Sequence, residues 1–426
     1  MPDMRTLLQS AWMIDPNSPL HGKKRDVLVE DGIILEIATK INPGKARVIK
    51  QQDLAVSPGW IDSCARFCDP GMEQHETLET GIRAAHLGGF RKVLLMPSTL
   101  PPVDRKSAVD YIRRQGANPH VELLVAGCIS EGRQGKQLAE IVDMTRSGAL
   151  AFTDDKQSVS TELMSRALQY ALQENALILS FPHDPGVALG GQMHEGAWSL
   201  RLGLRGLPRT AEEVVVSSDC LLAELTKARI HLQHLSSGGS AEIVRRAKAK
   251  QLSVTAEVSA LHLLLTDAAL ANYATSLKTN PPLREEADRL ALIAALVDGT
   301  IDAVCSDHSP CTATEKDCEF DLAPFGAATF ETAFAAAHTA LVTAGHADLS
   351  VLIARLTHGP AKALGLAAGT LKVGALADLV ILDPKAAWTP AKADLVSKSG
   401  NNPLLGRALT GRVRATFVGG RQVFGA

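Results

Sequence analysis

Short apolar runs alternate with longer amphipathic segments over most of the chain. Such runs have the length of buried strands, and the segments between them have the spacing of helices. The predicted strands are Leu54–Asp62, Lys92–Met96, Glu122–Gly127, Ala149–Phe152, Leu177–Ser180, Ile230–Gln233, Ser253–Glu257 and Ala303–Ser306. The predicted helices are Glu76–Leu87, Thr161–Gln173, Ala211–Thr226, Gly239–Lys250, Glu285–Leu296 and Ser350–Leu364. This repeat of strand and helix over roughly 250 residues predicts an α/β fold, a (β/α)8 TIM-type barrel.

The two ends of the chain have strand character without long helices. The strands predicted there are Thr6–Trp12, Arg25–Glu30, Ile33–Ile37, Ala377–Leu382 and Val413–Val418. Asp31-Gly32 is a hairpin signal, and glycines mark the turns near the other end. We therefore predict that residues 1–55 and 366–426 pair as one small β-sandwich domain, and that residues 56–365 form the barrel.

Composition narrows the function classes. A net charge of −2 gives no basic field for nucleic acid or anionic lipid, and 4% aromatic residues argue against a base-stacking surface. Met1 to Leu20 lacks a long apolar segment, and no run approaches ~18 apolar residues, so neither secretion nor membrane insertion is expected. The seven scattered cysteines fit a reducing compartment, and we expect a cytoplasmic protein.

The first predicted barrel strand ends in a distinctive stretch, Pro-Gly-Trp-Ile-Asp-Ser-Cys-Ala-Arg-Phe-Cys-Asp-Pro-Gly, at residues 58–71. It resembles the first strand of the cyclic amidohydrolases, dihydroorotases above all. There the stretch reads Pro-Gly-Phe-Ile-Asp-x-His-x-His-x-Arg-Asp/Glu-Pro-Gly. The resemblance implies two zinc-binding histidines and an arginine that binds the substrate carboxylate. In this chain Cys64 and Arg66 stand at the histidine positions, and Cys68 stands at the arginine position.

Later strand ends carry further motifs of the same family. Phe152-Thr153-Asp154-Asp155 matches well, and the resemblance places a metal-bridging aspartate at Asp154. His234 stands at a metal-binding histidine, and Asp307 at the aspartate that ligates metal and shuttles the proton. Asn280 stands at a substrate-contacting position, and Phe325 and Gly326 belong to a loop beside the substrate.

Other positions of the family site are changed. Ser98 replaces a substrate-binding asparagine, Phe181 a zinc histidine, and Cys311 a substrate-contacting histidine. Because a catalytic zinc needs about three protein ligands, and because Arg66 puts a permanent cation beside the metal position, we expect no cofactor and no dihydroorotase activity. The resemblance is then to inactive pseudo-dihydroorotases. It implies a structural partner of the aspartate transcarbamoylase catalytic chain in pyrimidine biosynthesis, and a homo-oligomer.

Three alternatives stay open. Asp154, His234 and Asp307 come from three different strands and form a minimal ligand set for zinc in an active dihydroorotase. A remodelled hydrolase could instead use Asp307 as base, without metal or on another ring. Finally, four thiols near one barrel mouth could bind a soft metal such as zinc. These thiols are Cys64, Cys68, Cys305 and Cys311.

Overall fold

Two eight-stranded sheets carry most of the strands of this computed structural model, which describes residues 5–50, 53–116 and 121–425. One sheet is the barrel, and the other joins the two ends of the chain. In chain order the strands are β1 Thr6–Met13, β2 Lys24–Glu30, β3 Ile33–Ala38, β4 Arg47–Ile49, β5 Ala55–Pro58, β6 Trp60–Ala65, β7 Phe90–Leu95, β8 Glu122–Gly127, β9 Ala149–Phe152, β10 Leu177–Ser180, β11 Met193–His194, β12 Gly206–Leu207, β13 Ile230–Leu232, β14 Val254–Ser259, β15 Ala303–Cys305, β16 Leu379–Trp388, β17 Leu409–Val418 and β18 Arg421–Phe424.

Helices follow most of the barrel strands. In chain order they are α1 Leu78–Leu87, α2 Lys106–Gln115, α3 Ile141–Arg146, α4 Thr161–Gln173, α5 Pro185–Ala188, α6 Ala197–Leu202, α7 Thr210–Thr226, α8 Gly238–Ala249, α9 Ala260–Leu264, α10 Glu286–Asp298, α11 Ala313–Lys316, α12 Phe330–His338, α13 Leu349–Leu356 and α14 His358–Leu364. Short 3-10 turns lie at Glu131–Arg133, Asp267–Leu270, Thr275–Leu277 and Lys392–Asp394, and a π turn at Thr339–Thr343. Over the described residues, no helix has the length and apolar character needed to cross a membrane.

The barrel sheet runs β6-β7-β8-β9-β10-β13-β14-β15, with every neighbouring pair parallel. Its two outer strands meet through a parallel bridge between Ala65 and His308, where Arg66 N donates to His308 O at 2.9 Å. The predicted barrel is therefore confirmed. Closure brings the carboxyl ends of the strands to one rim, where barrel enzymes place their reacting groups.

The predicted strand Leu54–Asp62 is in fact two strands in two sheets. β5 pairs antiparallel with β16 of the small sheet, whereas β6 pairs with β7 of the barrel. Gly59 makes the change of sheet: its N–H donates to Asp378 O at 2.9 Å, and a Cβ there would lie 2.7 Å from Arg91 Cβ. Pro58-Gly59 within this apolar-rich run is a signal for a break, but it does not show that the chain passes from one sheet to another.

The small sheet confirms that the two ends of the chain pair. Its order is β18-β17-β16-β5-β1-β2-β3, with β4 beside β1, so the strands form one continuous β-sheet domain. Because β5 belongs to this sheet, the sheet extends three residues past the predicted limit at residue 55. The rest of the predicted domain division stays a prediction.

The predicted helix Ser350–Leu364 is interrupted at Thr357, which separates α13 from α14. Thr357 has φ −123° and ψ −76°, outside the helical region. Pro360 has no N–H with which to continue the hydrogen bonds of α13. The chain therefore begins a new helix, α14, at His358.

Candidate active site

Four charged side chains meet where barrel strands end. Arg66 follows β6, Asp155 and Lys156 follow β9, and Asp307 follows β15. We call these four residues the mouth cluster. Asp155 has φ 56° and Asp307 has φ 49°, the left-handed region that non-glycine residues rarely adopt. Such backbone conformations concentrate at functional sites, where the surrounding structure holds them in place.

Arg66 joins the two carboxylates of the mouth cluster. Its Nε donates to Asp155 Oδ2 at 2.7 Å, and its Nη1 donates to Asp307 Oδ1 at 3.0 Å. Further contacts link Arg66 Nη2 to Asp155 and Nη1 to Ser309 Oγ. The side chains of Arg66 and Asp307 are only 11% and 7% exposed, so this is a buried ion pair network.

Lys156 supplies a second cation to the same carboxylate. Its Nζ lies 3.2 Å from Asp307 Oδ1. Burial alone would raise the pKa of Asp307, but His234, Lys156 and Arg66 lower it below the usual aspartate range. Burial likewise raises the pKa of Asp155, and Arg66 lowers it further than burial raises it. Both carboxylates are therefore ionised at neutral pH.

Asp154, the predicted bridging aspartate, faces away from this cluster. Its Oδ1 accepts hydrogen bonds from the N–H groups of Ile129 and Ser130, both at 2.9 Å, and its Oδ2 accepts one from Ser130 Oγ. The left-handed turn at Asp155 sends the next carboxylate into the mouth instead. The prediction that Asp154 joins His234 and Asp307 is thus corrected: Asp155 holds that place.

His234 lies beside the mouth cluster. Its Nε2 is 3.6 Å from Asp307 Oδ1, and burial lowers its pKa, which leaves the ring neutral. The ring of Phe181 packs edge-on against it, with 6.3 Å between the ring centres. Phe181 therefore fills space next to His234 and offers no ligand.

The zinc that the motif resemblance implies at the mouth does not fit these residues. A guanidinium group lies between Asp155 and Asp307 and bonds to both, so their oxygens are already neutralised by a fixed cation. Zinc prefers imidazole, thiolate and carboxylate ligands, and a permanent positive charge beside it opposes binding. Cys64 is fully buried and packs among Ile61, Leu94 and Ala126 inside the barrel, below the mouth.

The predicted substrate positions have different surroundings. Asn280 is half-buried, and its Oδ1 is buried without a hydrogen-bond partner among the described residues, so it can accept from a ligand. Ser98 contributes to the lowered pKa of Asp155. Phe325 lies 4.9 Å under Lys278 Nζ, and Gly326 N donates to Lys278 O at 2.9 Å.

The loop needs a glycine at position 326 because of its backbone conformation and its close contacts. Its φ is 146°, and a Cβ there would lie 2.6 Å from Ser309 O and 2.9 Å from Cys311 Sγ. Cys311 itself is 5% exposed and packs on this loop.

The four thiols do not form the predicted four-cysteine site. Cys68 and Cys311 are each buried beside the loops of the mouth, whereas Cys64 and Cys305 lie inside the barrel. Burial raises the pKa of Cys68 to about 12, so its thiol is neutral. Among the described side chains, the groups spaced to hold a metal include Cys64 but neither Cys68 nor Cys311.

Asp155, Lys156, Ser309 and Glu257 are site residues that sequence reasoning did not assign. Asp155 lay in a motif that matched the family, and Lys156 and Ser309 each stand two residues after an assigned aspartate. Glu257 belongs to the site because its Oε1 lies 3.3 Å from His234 Nδ1. Adjacency to a strand end was the available signal. It did not say which of two neighbouring carboxylates would face inward.

Comparison with known proteins agrees with this architecture. A family model described as dihydro-orotase-like matches residues 54–240, and one described as amidohydrolase family matches residues 312–424. A dihydroorotase from Pelotomaculum thermopropionicum is 43% identical over 99% of this chain and 98% of its own length. One from Carboxydothermus hydrogenoformans is 41% identical over 91% of each chain.

Solved structures show the same fold at lower identity. The L-hydantoinase of Arthrobacter aurescens superposes with a TM-score of 0.88 at 22% identity, covering 99% of this chain and 96% of its own. The dihydropyrimidinase of Brevibacillus agri gives 0.85 at 20% identity, covering 99% and 95%.

The sequence relatives overturn one expectation. Proteins about 40% identical over nearly the whole chain are named dihydroorotase, and none of these findings supports an inactive structural partner of aspartate transcarbamoylase. That prediction was wrong because it took the changed ligand positions as loss of function. The chain belongs to the dihydroorotase family.

Proposed function

We propose that this chain catalyses the dihydroorotase reaction, the reversible hydrolysis of the cyclic amide dihydroorotate to N-carbamoyl-aspartate. The observation that carries the proposal is Asp307: a buried, ionised carboxylate at the end of the last barrel strand, held between two cations. Relatives with this name that align over nearly the whole chain support it.

In ring opening, Asp307 accepts a proton from the attacking water while the water oxygen bonds to the amide carbon. The carbonyl oxygen gains negative charge, which the Arg66 guanidinium and the Lys156 ammonium stabilise. Asp307 then gives the proton to the ring nitrogen as the carbon–nitrogen bond breaks. Ring closure follows the same steps in reverse, and no step requires a metal at the mouth.

The substrate is an anion, and the mouth cluster is suited to it. Lys156 is 16% exposed, which makes its ammonium group available to a substrate carboxylate at the rim. The unpartnered Oδ1 of Asn280 supplies an acceptor for a ring N–H. The same ion pairs that keep Asp307 ionised also lower its basicity, so we expect slow turnover.

The test is turnover of the purified full chain in both directions, compared with an Asp307→Asn variant. Loss of the general base should reduce kcat by about 10²- to 10⁴-fold. Asp143→Asn, at an exposed position of α3, is the matched control and should keep full activity. Absence of turnover in the wild-type chain, or equal rates in Asp307→Asn, would contradict the proposal.

A further inference from the structure

A second group of polar side chains lies one layer deeper in the barrel. Cys64 and Cys305 each precede a mouth residue by two positions, Arg66 and Asp307 respectively. Cys64 lies in β6 and Cys305 ends β15, so both thiols lie within the barrel strands, before the chain reaches the mouth cluster. Cys64 is 0% exposed and Cys305 is 1% exposed.

Three of these deeper side chains are spaced as metal ligands. Cys64 Sγ, a ring nitrogen of His234 and a carboxylate oxygen of Glu257 all lie within 4.8 Å of one another. We call Cys64, His234 and Glu257 the inner cluster. It uses a thiol, an imidazole and a carboxylate from three barrel strands or their ends. Cys64 and His234 stand at positions where the family motifs imply metal-binding histidines, whereas Glu257 matches no metal position that those motifs implied.

One carboxylate oxygen of Glu257 is left without a hydrogen-bond partner. The side chain is 0% exposed, and among the described residues none hydrogen-bonds to Oε1. His234 Nδ1 lies 3.3 Å from that oxygen, yet the pair does not form a hydrogen bond. Two ligand atoms that bind one tetrahedral ion with bonds of about 2.0–2.1 Å are expected to lie about 3.3 Å from each other.

The charges of the inner cluster also favour a cation. The other oxygen of the Glu257 carboxylate, Oε2, accepts a hydrogen bond from Ser63 Oγ and lies 3.3 Å from His231 Nε2. In the described structure Glu257 contacts Ser63, His231 and His234, and no guanidinium or ammonium group. A buried anion without a permanent cation is costly unless a metal or proton compensates it.

We propose that Cys64, His234 and Glu257 bind a single zinc-like divalent ion inside the barrel, below the mouth cluster. Cys305 Sγ lies 3.3 Å from His234 Nδ1, but it does not belong to the group of ligand atoms that all lie within 4.8 Å of one another. Three protein ligands are typical of a zinc ion whose fourth position is open. The ion joins β6 to β14 and fixes the His234 ring beside Asp307.

Binding requires the Cys64 thiol to release its proton to solvent. Zinc binds the thiolate form of cysteine, so metal and proton compete for this sulfur.

The test uses cobalt as a spectroscopic probe. The full chain, produced in cobalt-supplemented medium, should carry about one cobalt per chain and show a thiolate-to-cobalt charge-transfer band. Cys64→Ser should abolish this band, and Glu257→Gln should lower the bound cobalt.

Two variants serve as controls. Cys128→Ser changes a fully buried thiol outside the inner cluster and should keep the band. Glu285→Gln changes the exposed member of the other group spaced for a metal, His194, Glu285 and Asp288, and should also keep it.

Folding of each variant is checked by its circular dichroism spectrum and unfolding midpoint. If Cys64→Ser does not fold, alkylation of Cys64 in partly denatured wild-type chain is measured instead, and zinc should slow it. No bound cobalt, cobalt without a thiolate band, or a band that survives in Cys64→Ser would overturn the proposal. None of these readouts depends on turnover.

Discussion

The mouth cluster and the inner cluster are neighbouring layers of one barrel, and both are buried. In the mouth, two carboxylates are neutralised by Arg66 and Lys156. One layer down, Glu257 contacts no guanidinium or ammonium group among the described residues, and its Oε1 has no hydrogen-bond partner there. His234 joins the layers, with Nε2 towards Asp307 and Nδ1 towards Glu257. The difference teaches that a side-chain cation neutralises the carboxylates of one layer, whereas the layer beneath keeps a buried carboxylate without one.

The largest expected effect on folding comes from removing the mouth cation. Arg66→Met leaves Asp155 and Asp307 buried without the guanidinium that bonds to both, and should cost about 3–5 kcal/mol of unfolding free energy. Urea unfolding measures it. Arg166→Met is the control, because Arg166 pairs with Glu162 on the surface, where side chains 62% and 75% exposed contribute little. Equal losses in the two variants would show that the mouth ion pairs do not stabilise the fold.

A smaller loss is expected at Asp154. Asp154→Ala removes the acceptor for the Ile129 and Ser130 N–H groups and should cost about 1–3 kcal/mol. Turnover per folded molecule should stay near that of the wild type, because the side chain faces away from the mouth. A loss of turnover as large as that of Asp307→Asn would return Asp154 to the active site.

The pH dependence of stability sharpens the comparison of the layers. The pKa values of Asp155 and Asp307 are lowered in the folded chain. Their contribution is therefore complete above the ordinary aspartate pKa of about 3.9 and is lost as the pH falls below it, by at most about 1.4 kcal/mol per pH unit for each carboxylate. The stability gap between wild type and Arg66→Met should shrink below about pH 4. A gap that stays constant down to pH 3 would contradict these assignments.

The smallest effect concerns access to the inner cluster. Cys318 is exposed, whereas the other six cysteines are buried. A thiol reagent should therefore react rapidly with one cysteine in the native chain and with all seven after denaturation. Rapid native reaction of Cys64 would show that the inner layer is open to solvent.

Much of the fold could be predicted from the sequence. The limits of β8, β9, β10 and α4 agree with the predicted strands and helix, because each is a short apolar or amphipathic run between clear turns. The break at Gly59 could not be predicted, since it depends on the approach of Arg91 and Asp378 from elsewhere in the chain.

The sequence could indicate which residues lie near the site, but not which of their side chains point into it. His234 and Asp307 were assigned from the family motifs, and the structure places their side chains 3.6 Å apart, since parallel strands bring their ends to one rim. Asp154 was also assigned from a motif, and the left-handed φ of 56° that turns Asp155 into the mouth is not visible in the sequence. The surroundings of Glu257 depend on packing between strands far apart in the chain.

The most direct test of this two-layer account is the position of zinc in crystals of the full chain grown with the metal, located by anomalous scattering at the zinc edge. The account predicts one peak, between Cys64, His234 and Glu257, with Arg66 still bonded to Asp155 and Asp307. A peak between Asp155 and Asp307 with Arg66 displaced, or no peak at the inner cluster, would contradict it.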